Sequence, residues 1–136
     1  MKTKFTLIYL FLSCFISNNG YSKDFWGALA QVESGNNPKA VGDSGKALGI
    51  YQIHESYFKD AAEYDKDLRK YNYFDCFNPE ISKKVVTAYL SRYCKNGTPE
   101  DFARCHNSGP NWKNKKHLTE KYWQKIKKEL GKDFKI

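Results

Sequence analysis

Glu33 is the residue whose type and position most clearly permit acid–base chemistry. It falls at the end of an apolar segment, where Trp26, Leu29 and Ala30 can shield its carboxyl group and still leave it open to a cleft. Because desolvation disfavours the charged form, such a glutamate can stay protonated near neutral pH and donate a proton to a leaving oxygen. A glutamate at a helix end is usually structural, so this position alone carries little weight.

The spacing of apolar residues predicts the elements that must hold this carboxyl group. Phe25, Leu29 and Val32 share one side of a first helix over residues 24–33. Residues 38–53 contain three glycines among small residues and predict a turn-rich loop with at most a short hairpin. Four further helices are predicted, over residues 55–68, 79–93, 99–106 and 119–130. With no βαβ rhythm and no repeat, the pattern indicates a mainly α (α+β) single domain of about five helices around a glycine-rich loop.

Two threonines mark predicted helix starts. Thr98 supplies a hydroxyl cap, Pro99 suits the first helical position, and acidic residues follow in the first turn. Thr119 is predicted to cap the last helix. The inward face of that helix is expected to carry Tyr122, Trp123, Ile126 and Leu130.

The amino terminus has the composition of a secretory signal peptide. Two early lysines precede an apolar run over residues 5–16 that is too short to anchor in a bilayer, and Gly20 and Ser22 offer small side chains to a signal peptidase. We expect cleavage after Ser22, leaving residues 23–136 as the functional domain; the competing interpretation is a buried amino-terminal helix. The removed segment carries two lysines and no acidic residue, so the net charge falls from +8 to +6.

The positive charge and the cysteines limit the classes of partner and site. A basic exported protein suits an anionic surface, and an anionic cell wall is a better candidate partner than nucleic acid. A lysine-rich helix face that is simply solvated would have the same composition. Removal of the leader leaves three cysteines, an odd number whose spacing does not fit a zinc site. A helix between Cys76 and Cys94 would hold them about 20 Å apart, too far for a disulfide.

Four blocks, all in the same order, carry a resemblance to a known family. They span nearly the whole chain after the leader. The blocks are residues 32–41 with Gly49-Ile50-Tyr51-Gln52-Ile53, residues 89–93, residues 102–110, and Tyr122-Trp123. In these the chain resembles the lysozyme-like superfamily, in particular the invertebrate-type (destabilase) lysozymes, with bacterial SLT and goose-type relatives.

The resemblance implies a lysozyme-like fold with a glycan cleft and two working carboxyl groups. Glu33 matches the catalytic acid of the family, and Asp43 in Gly42-Asp43-Ser44-Gly45 occupies the place of the second carboxylate. The segment between Asp43 and Gln52 is slightly shorter than is expected for the family. Asp-Ser-Gly is also an ordinary turn sequence, so a purely structural role for Asp43 stays open. In glycosidic cleavage a neutral acid protonates the leaving oxygen, while an ionised carboxylate faces the positive charge that builds on the sugar ring. Lysozyme is the type case of this pairing.

The same resemblance suggests which residues contact sugar. Amide and hydroxyl groups with aromatic faces bind sugars, and the expected contacts are Tyr51, Gln52, His106, Asn107, Ser108 and Gly109. His106 is equally plausible as a buried, hydrogen-bonded helix residue, and Ser108 departs from the glycine usual in the family. A nucleophilic pair of Cys105 and His106 is rejected because adjacent helical residues point about 100° apart.

The resemblance therefore implies a hydrolase of the β-1,4 bond between N-acetylmuramic acid and N-acetylglucosamine. The alternatives are a lytic transglycosylase, which needs only the glutamate and forms an anhydro sugar, and a non-catalytic cationic cell-wall-binding protein. We expect no cofactor and no metal. The expected partner is the glycan strands of bacterial peptidoglycan. We expect a secreted protein, extracellular or periplasmic, that acts as a monomer. It is expected to bind no nucleic acid and not to insert stably into a membrane.

Overall fold

Five α-helices and a small antiparallel sheet make up most of the computed structural model, which describes residues 24–131. The helices are α1 (Phe25–Ser34), α2 (Glu55–Tyr64), α3 (Pro79–Tyr93), α4 (Pro99–Ser108) and α5 (Lys116–Leu130). The strands are β1 (Val41–Gly42), β2 (Ala47–Leu48) and β3 (Ile53–His54). Short 3₁₀ helices cover Asp43–Gly45, Lys66–Lys70, Tyr73–Phe77 and Trp112–Lys115. The mainly helical, α+β, single-domain prediction is confirmed, while the expected signal peptide lies outside the described residues.

Helix α1 begins and ends with caps that its sequence supplies. The Asp24 carboxylate accepts a hydrogen bond of 2.7 Å from the Gly27 N–H, which satisfies one free donor of the first turn. Gly35 closes the helix in the left-handed region, at φ 63°. Ala28, Leu29 and Ala30 are buried, so the helix is anchored in the core and Glu33 is carried in its last turn.

The glycine-rich segment forms the short hairpin that the sequence allowed, extended by a third strand. Strand β1 pairs with β2, and β2 pairs with β3, both antiparallel. Gly49 lies between β2 and β3 with φ +76°, and a Cβ atom there would lie 2.1 Å from the carbonyl oxygen of Cys76. Only glycine fits this close approach, which packs the sheet against the 3₁₀ helix at residues 73–77.

Helix α2 is shorter than predicted. It ends at Tyr64 instead of continuing to Leu68, because Asp65 adopts an extended backbone and its carboxylate accepts a hydrogen bond of 3.0 Å from the Asp67 N–H. Such local bonds from an aspartate side chain compete with helix continuation. Leu68 is nevertheless buried, from a separate 3₁₀ helix at Lys66–Lys70.

Helix α5 starts earlier than predicted, and Thr119 does not cap it. The helix begins at Lys116, and Thr119 is buried inside its first turns. Its hydroxyl accepts a hydrogen bond of 3.0 Å from Arg104 of α4. The predicted cap at Thr98 is confirmed, since its hydroxyl accepts from the Asp101 N–H and the Asp101 carboxylate accepts from the Thr98 N–H.

Two packing arrangements fix the helices that carry the site. Helix α3 is buried along Val85, Val86 and Ala88, as expected for the central helix, and packs against α2 and α4. Helices α1 and α4 both pack against α5. Arg104 ties α4 to α5 with a hydrogen bond of 2.6 Å to the carboxylate of Glu120, and it donates a second of 2.6 Å to Glu100 within α4. No helix within residues 24–131 is long and apolar enough to cross a membrane.

Candidate active site

A cavity of about 440 Å³ lies where the hairpin faces α2 and α4. Its lining includes six residues that the sequence analysis selected: Glu33, Asp43, Gln52, His106, Asn107 and Gly109. It also includes six that the sequence analysis did not select as site residues: Ala47, His54, Ser56, Tyr57, Asp60 and Tyr89. Larger grooves exist on the surface, but this one holds both predicted carboxylates.

Glu33 enters the cavity from the end of α1 with its carboxyl group largely covered. Its side chain is 17% exposed. Its Oε1 atom accepts a short hydrogen bond from the hydroxyl of Tyr122 on α5 and lies 3.4 Å from Nε2 of His106 on α4. Burial raises the pKa of Tyr122 well above its ordinary value, and the nearby charge of Glu33 adds to that effect. Tyr122 therefore keeps its proton and acts as a donor to Glu33.

His106 is enclosed by three oxygen atoms. Its Nδ1 lies 2.8 Å from the hydroxyl of Tyr57, and its Nε2 lies 3.1 Å from the backbone carbonyl of Tyr51 as well as near Glu33. The ring of Tyr57 stacks on Tyr89 with centroids 3.6 Å apart, and burial raises the pKa of the Tyr57 hydroxyl. The imidazole is thus held between α2, the loop after β2, and α1.

Asp43 reaches the cavity from the turn between β1 and β2. Its side chain is 61% exposed, and its Oδ2 lies 3.1 Å from Nε2 of His54. Asp43 and Ser44 both have positive φ angles, 48° and 54°, so the turn uses two consecutive left-handed residues. This backbone conformation costs non-glycine residues energy. The carboxylate is therefore solvent-accessible but held in place by the turn and by His54.

Gln52 supports the hairpin. Its amide nitrogen donates to the carbonyl oxygens of Gly49 at 3.0 Å and Ala40 at 3.4 Å. A Cβ atom at Gly42 would lie 2.1 Å from the Gln52 side-chain oxygen, so the two residues are in close contact. Gln52 therefore lines the cavity while also bracing the turn that carries Asp43.

Two of the expected sugar contacts are not brought to the cavity. The Tyr51 side chain is 6% exposed and packs against Trp26 with ring centroids 5.7 Å apart, so only its backbone carbonyl approaches the site. The Ser108 hydroxyl donates to the Arg104 carbonyl at 2.9 Å within α4. Asn107 and Gly109 on either side of Ser108 do line the cavity.

Asp60 is a third carboxylate in the cavity that sequence reasoning missed. It lies on α2, and its Oδ2 accepts a hydrogen bond of 3.1 Å from the hydroxyl of Tyr93. Residues four apart on a helix share a face, so Ser56 and Asp60 were detectable as a polar strip beside the apolar side of α2. Only the fold shows that this strip lines the same cavity as Glu33.

The cysteines do not provide a nucleophile. Cys105 is fully buried, and burial raises its pKa to about 12, while the neighbouring His106 is engaged with Tyr57 and the Tyr51 carbonyl. Cys105 instead contacts the thiol of Cys94. Across residues 24–131, no group of three or more His, Cys, Asp or Glu side chains is arranged to hold a metal ion.

Comparison with known proteins identifies related sequences. The family model described as Destabilase matches residues 22–129. A curated relative, an invertebrate-type lysozyme from Ruditapes philippinarum, is 33% identical over 90 residues, covering 62% of this chain. The match also spans 62% of the relative's own length. The relationship to invertebrate-type lysozymes that the sequence blocks indicated is therefore confirmed.

Proposed function

The chain belongs to the Destabilase family, and we propose that it is a muramidase that cleaves peptidoglycan at the β-1,4 bond between N-acetylmuramic acid and N-acetylglucosamine. The observation that carries the proposal is the Glu33 carboxyl group, covered by α5 and held by Tyr122, at the edge of a cavity that also contains Asp43. The name of the relative, an invertebrate-type lysozyme, supports the same reaction class.

Glu33 is the general acid in this proposal. It protonates the oxygen of the leaving sugar while positive charge develops on the other sugar ring. Asp43 is the ionised partner that stabilises this charge or attacks the ring. In a retaining route Glu33 then activates water as a base, whereas in an inverting route Asp43 takes that role. A retaining enzyme places its carboxyl groups about 5–5.5 Å apart and an inverting one about 6.5–9.5 Å apart. The anomer of the first product therefore identifies the route.

The cavity walls suggest how the glycan is held. Asn107 offers an amide, and Asp60 offers a carboxylate that can accept hydrogen bonds from sugar hydroxyls. Gly109 has no side chain, so its backbone is open to the cavity. Tyr51 and Ser108 support this wall from behind. We place the acetamido sugars between α4 and the hairpin on these grounds.

The site of action is also part of the proposal. Cleavage after Ser22 would release a secreted, monomeric domain with a net charge of +6, suited to an anionic wall. Mass spectrometry of the exported protein tests this, because the mature chain should begin at Lys23.

The decisive experiment compares Glu33→Gln with the wild type on purified cell walls. We expect the variant to bind peptidoglycan while its cleavage rate falls by at least about 100-fold, because the amide cannot supply the proton. Glu80→Gln is the matched control, since Glu80 is exposed at the start of α3 and outside the cavity. Undiminished bacteriolysis by Glu33→Gln would contradict the enzymatic proposal.

The same digest distinguishes hydrolysis from transglycosylation. A hydrolase adds water across the bond, whereas a lytic transglycosylase leaves anhydro ends that are lighter by one water. Anhydro muropeptides in the wild-type digest would replace the hydrolase with the transglycosylase. Wall binding without either product would identify a non-catalytic wall-binding protein.

A further inference from the structure

We propose that His106 is a positioning residue for Glu33, held by Tyr57 as the tautomer that carries its proton on Nε2. The inference rests on the proposed function. It is carried by the arrangement of three partners around one imidazole, with Tyr57 at Nδ1 and the Tyr51 carbonyl and Glu33 at Nε2.

The partners of the ring fix its proton. Nε2 faces a carbonyl oxygen at 3.1 Å and a carboxyl oxygen at 3.4 Å, so it must carry hydrogen to avoid placing lone pairs against lone pairs. Burial raises the pKa of the Tyr57 hydroxyl, which stays protonated and can donate to Nδ1 over 2.8 Å. A tyrosine that donates to Nδ1 leaves the imidazole neutral with its single proton on Nε2.

This tautomer places the Nε2–H group between the Tyr51 carbonyl, which is its closer partner, and the carboxyl group of Glu33. Tyr122 and His106 both approach Oε1 of Glu33, one from α5 and the other from α4. Tyr122 donates to Oε1 and the edge of the His106 ring lies beside the same atom, which leaves Oε2 to carry the acid proton toward the leaving sugar oxygen. The 3.4 Å separation is a contact beyond ordinary hydrogen-bond length, so His106 acts on Glu33 by packing and by its fixed orientation.

The arrangement also argues against His106 as a sugar contact. Its side chain is only 4% exposed, and both ring nitrogens already have protein partners. A sugar hydroxyl would have to displace Tyr57 or the Tyr51 carbonyl to reach it. Of the two interpretations that the sequence left open, the buried, hydrogen-bonded residue is the one these contacts favour.

Three variants test the role through the separation of kcat from KM. In His106→Gln the amide nitrogen can reach the former Nε2 position and still donate, whereas in His106→Asn it reaches only the Nδ1 position. We expect kcat to fall by about 10- to 100-fold in His106→Asn with KM nearly unchanged, because Glu33 is misplaced. His106→Gln should retain most of the wild-type kcat, and Tyr57→Phe should lower kcat less than His106→Asn does.

A spectroscopic measurement checks the tautomer without any assay of activity. Long-range ¹H–¹⁵N correlation spectra of the wild-type protein separate the two neutral tautomers from the doubly protonated ring, and His106→Gln identifies the His106 signals. We expect the Nε2–H form in the wild type and a mixture of tautomers in Tyr57→Phe.

Two results would overturn the inference. One is a ring protonated on Nδ1 in the wild type; the other is an equal loss in His106→Gln and His106→Asn that appears mainly in KM, as for a sugar contact. A wild-type protein that cleaves no peptidoglycan would instead overturn the proposed function, so the two failures are distinguishable.

Discussion

Oδ2 of Asp43 lies 3.1 Å from Nε2 of His54, so the second carboxylate of the site is paired with an imidazole across the hairpin. This pairing directs an otherwise exposed side chain toward the cavity. It also gives the two-carboxylate scheme a specific test.

Replacing Asp43 with asparagine should abolish most activity. The amide keeps the shape and the turn preference of aspartate but cannot stabilise a developing positive charge, so we expect cleavage to slow by at least about 100-fold. Turbidity loss of purified cell walls measures this. Asp67→Asn is the control, because Asp67 is exposed on a different element. Full activity in Asp43→Asn would mean that Glu33 works without this partner.

Replacing Tyr122 with phenylalanine should impair the reaction more than the fold. The variant keeps the ring that packs on the core and removes only the donor to Oε1 of Glu33. We expect kcat to fall by about 10- to 100-fold because Glu33 loses its orientation. The midpoint of thermal unfolding, measured by circular dichroism, should stay close to that of the wild type. Tyr64→Phe, at an exposed position on α2, should change neither quantity.

Gly49→Ala should be much more destabilising than Gly45→Ala. Both glycines have positive φ angles, but a Cβ at Gly49 would lie 2.1 Å from the Cys76 carbonyl oxygen, while one at Gly45 would meet nothing within 4 Å. The backbone alone costs about 1–2 kcal/mol, so Gly45→Ala reports that cost. Gly49→Ala adds a clash, for a total of about 3 kcal/mol or more. Urea unfolding measures both, and equal losses would contradict the close approach.

Stability should decline at alkaline pH because two buried thiols resist ionisation. Burial raises the pKa of Cys76 and of Cys105 from 9.0 to about 12. A group whose pKa is raised in the folded state favours folding fully below its unfolded pKa and loses that contribution as pH rises toward the folded value. The free energy of unfolding should therefore fall between about pH 9 and about pH 12. Urea titrations at several pH values measure the decline.

A cysteine variant isolates one thiol. In Cys76→Ala the decline above pH 9 should be shallower than in the wild type, whatever the loss of stability at neutral pH. An identical pH dependence in the two proteins would mean that Cys76 ionises equally well in both states.

Local signals predicted much of the fold. Apolar spacing predicts α1, and Thr98 with Pro99 correctly marks the start of α4, because caps act within a few residues of the chain. The same local rules failed at Thr119, whose hydroxyl is engaged by Arg104. They also failed at Asp65, where one side-chain bond ended α2 early. A tertiary contact and a local competing bond each outweighed helix preference.

The candidate site was predictable only in part. The sequence selects Glu33 from its place at a helix end together with the family resemblance, and Asp43 from the resemblance. The groups that hold Glu33 were not found, because Tyr122 is 89 positions away and Tyr57 is 49 positions from His106. Sequence spacing carries no information about such contacts, and the sequence marks Tyr122 only as an inward-facing residue of the last helix and as part of a block shared with the family.

The hydrogen bond between α1 and α5 has a consequence for the order of events during folding. A chain that emerges from its amino terminus presents Glu33 early, yet the donor that orients this acid arrives only with the last described helix. Contacts this distant in sequence require closure of a long loop, which has an entropic cost. A nascent chain ending before Lys116 would contain the acid and the hairpin but not a competent centre. In the proposed scheme, catalytic competence therefore depends on α5, the last helix of residues 24–131.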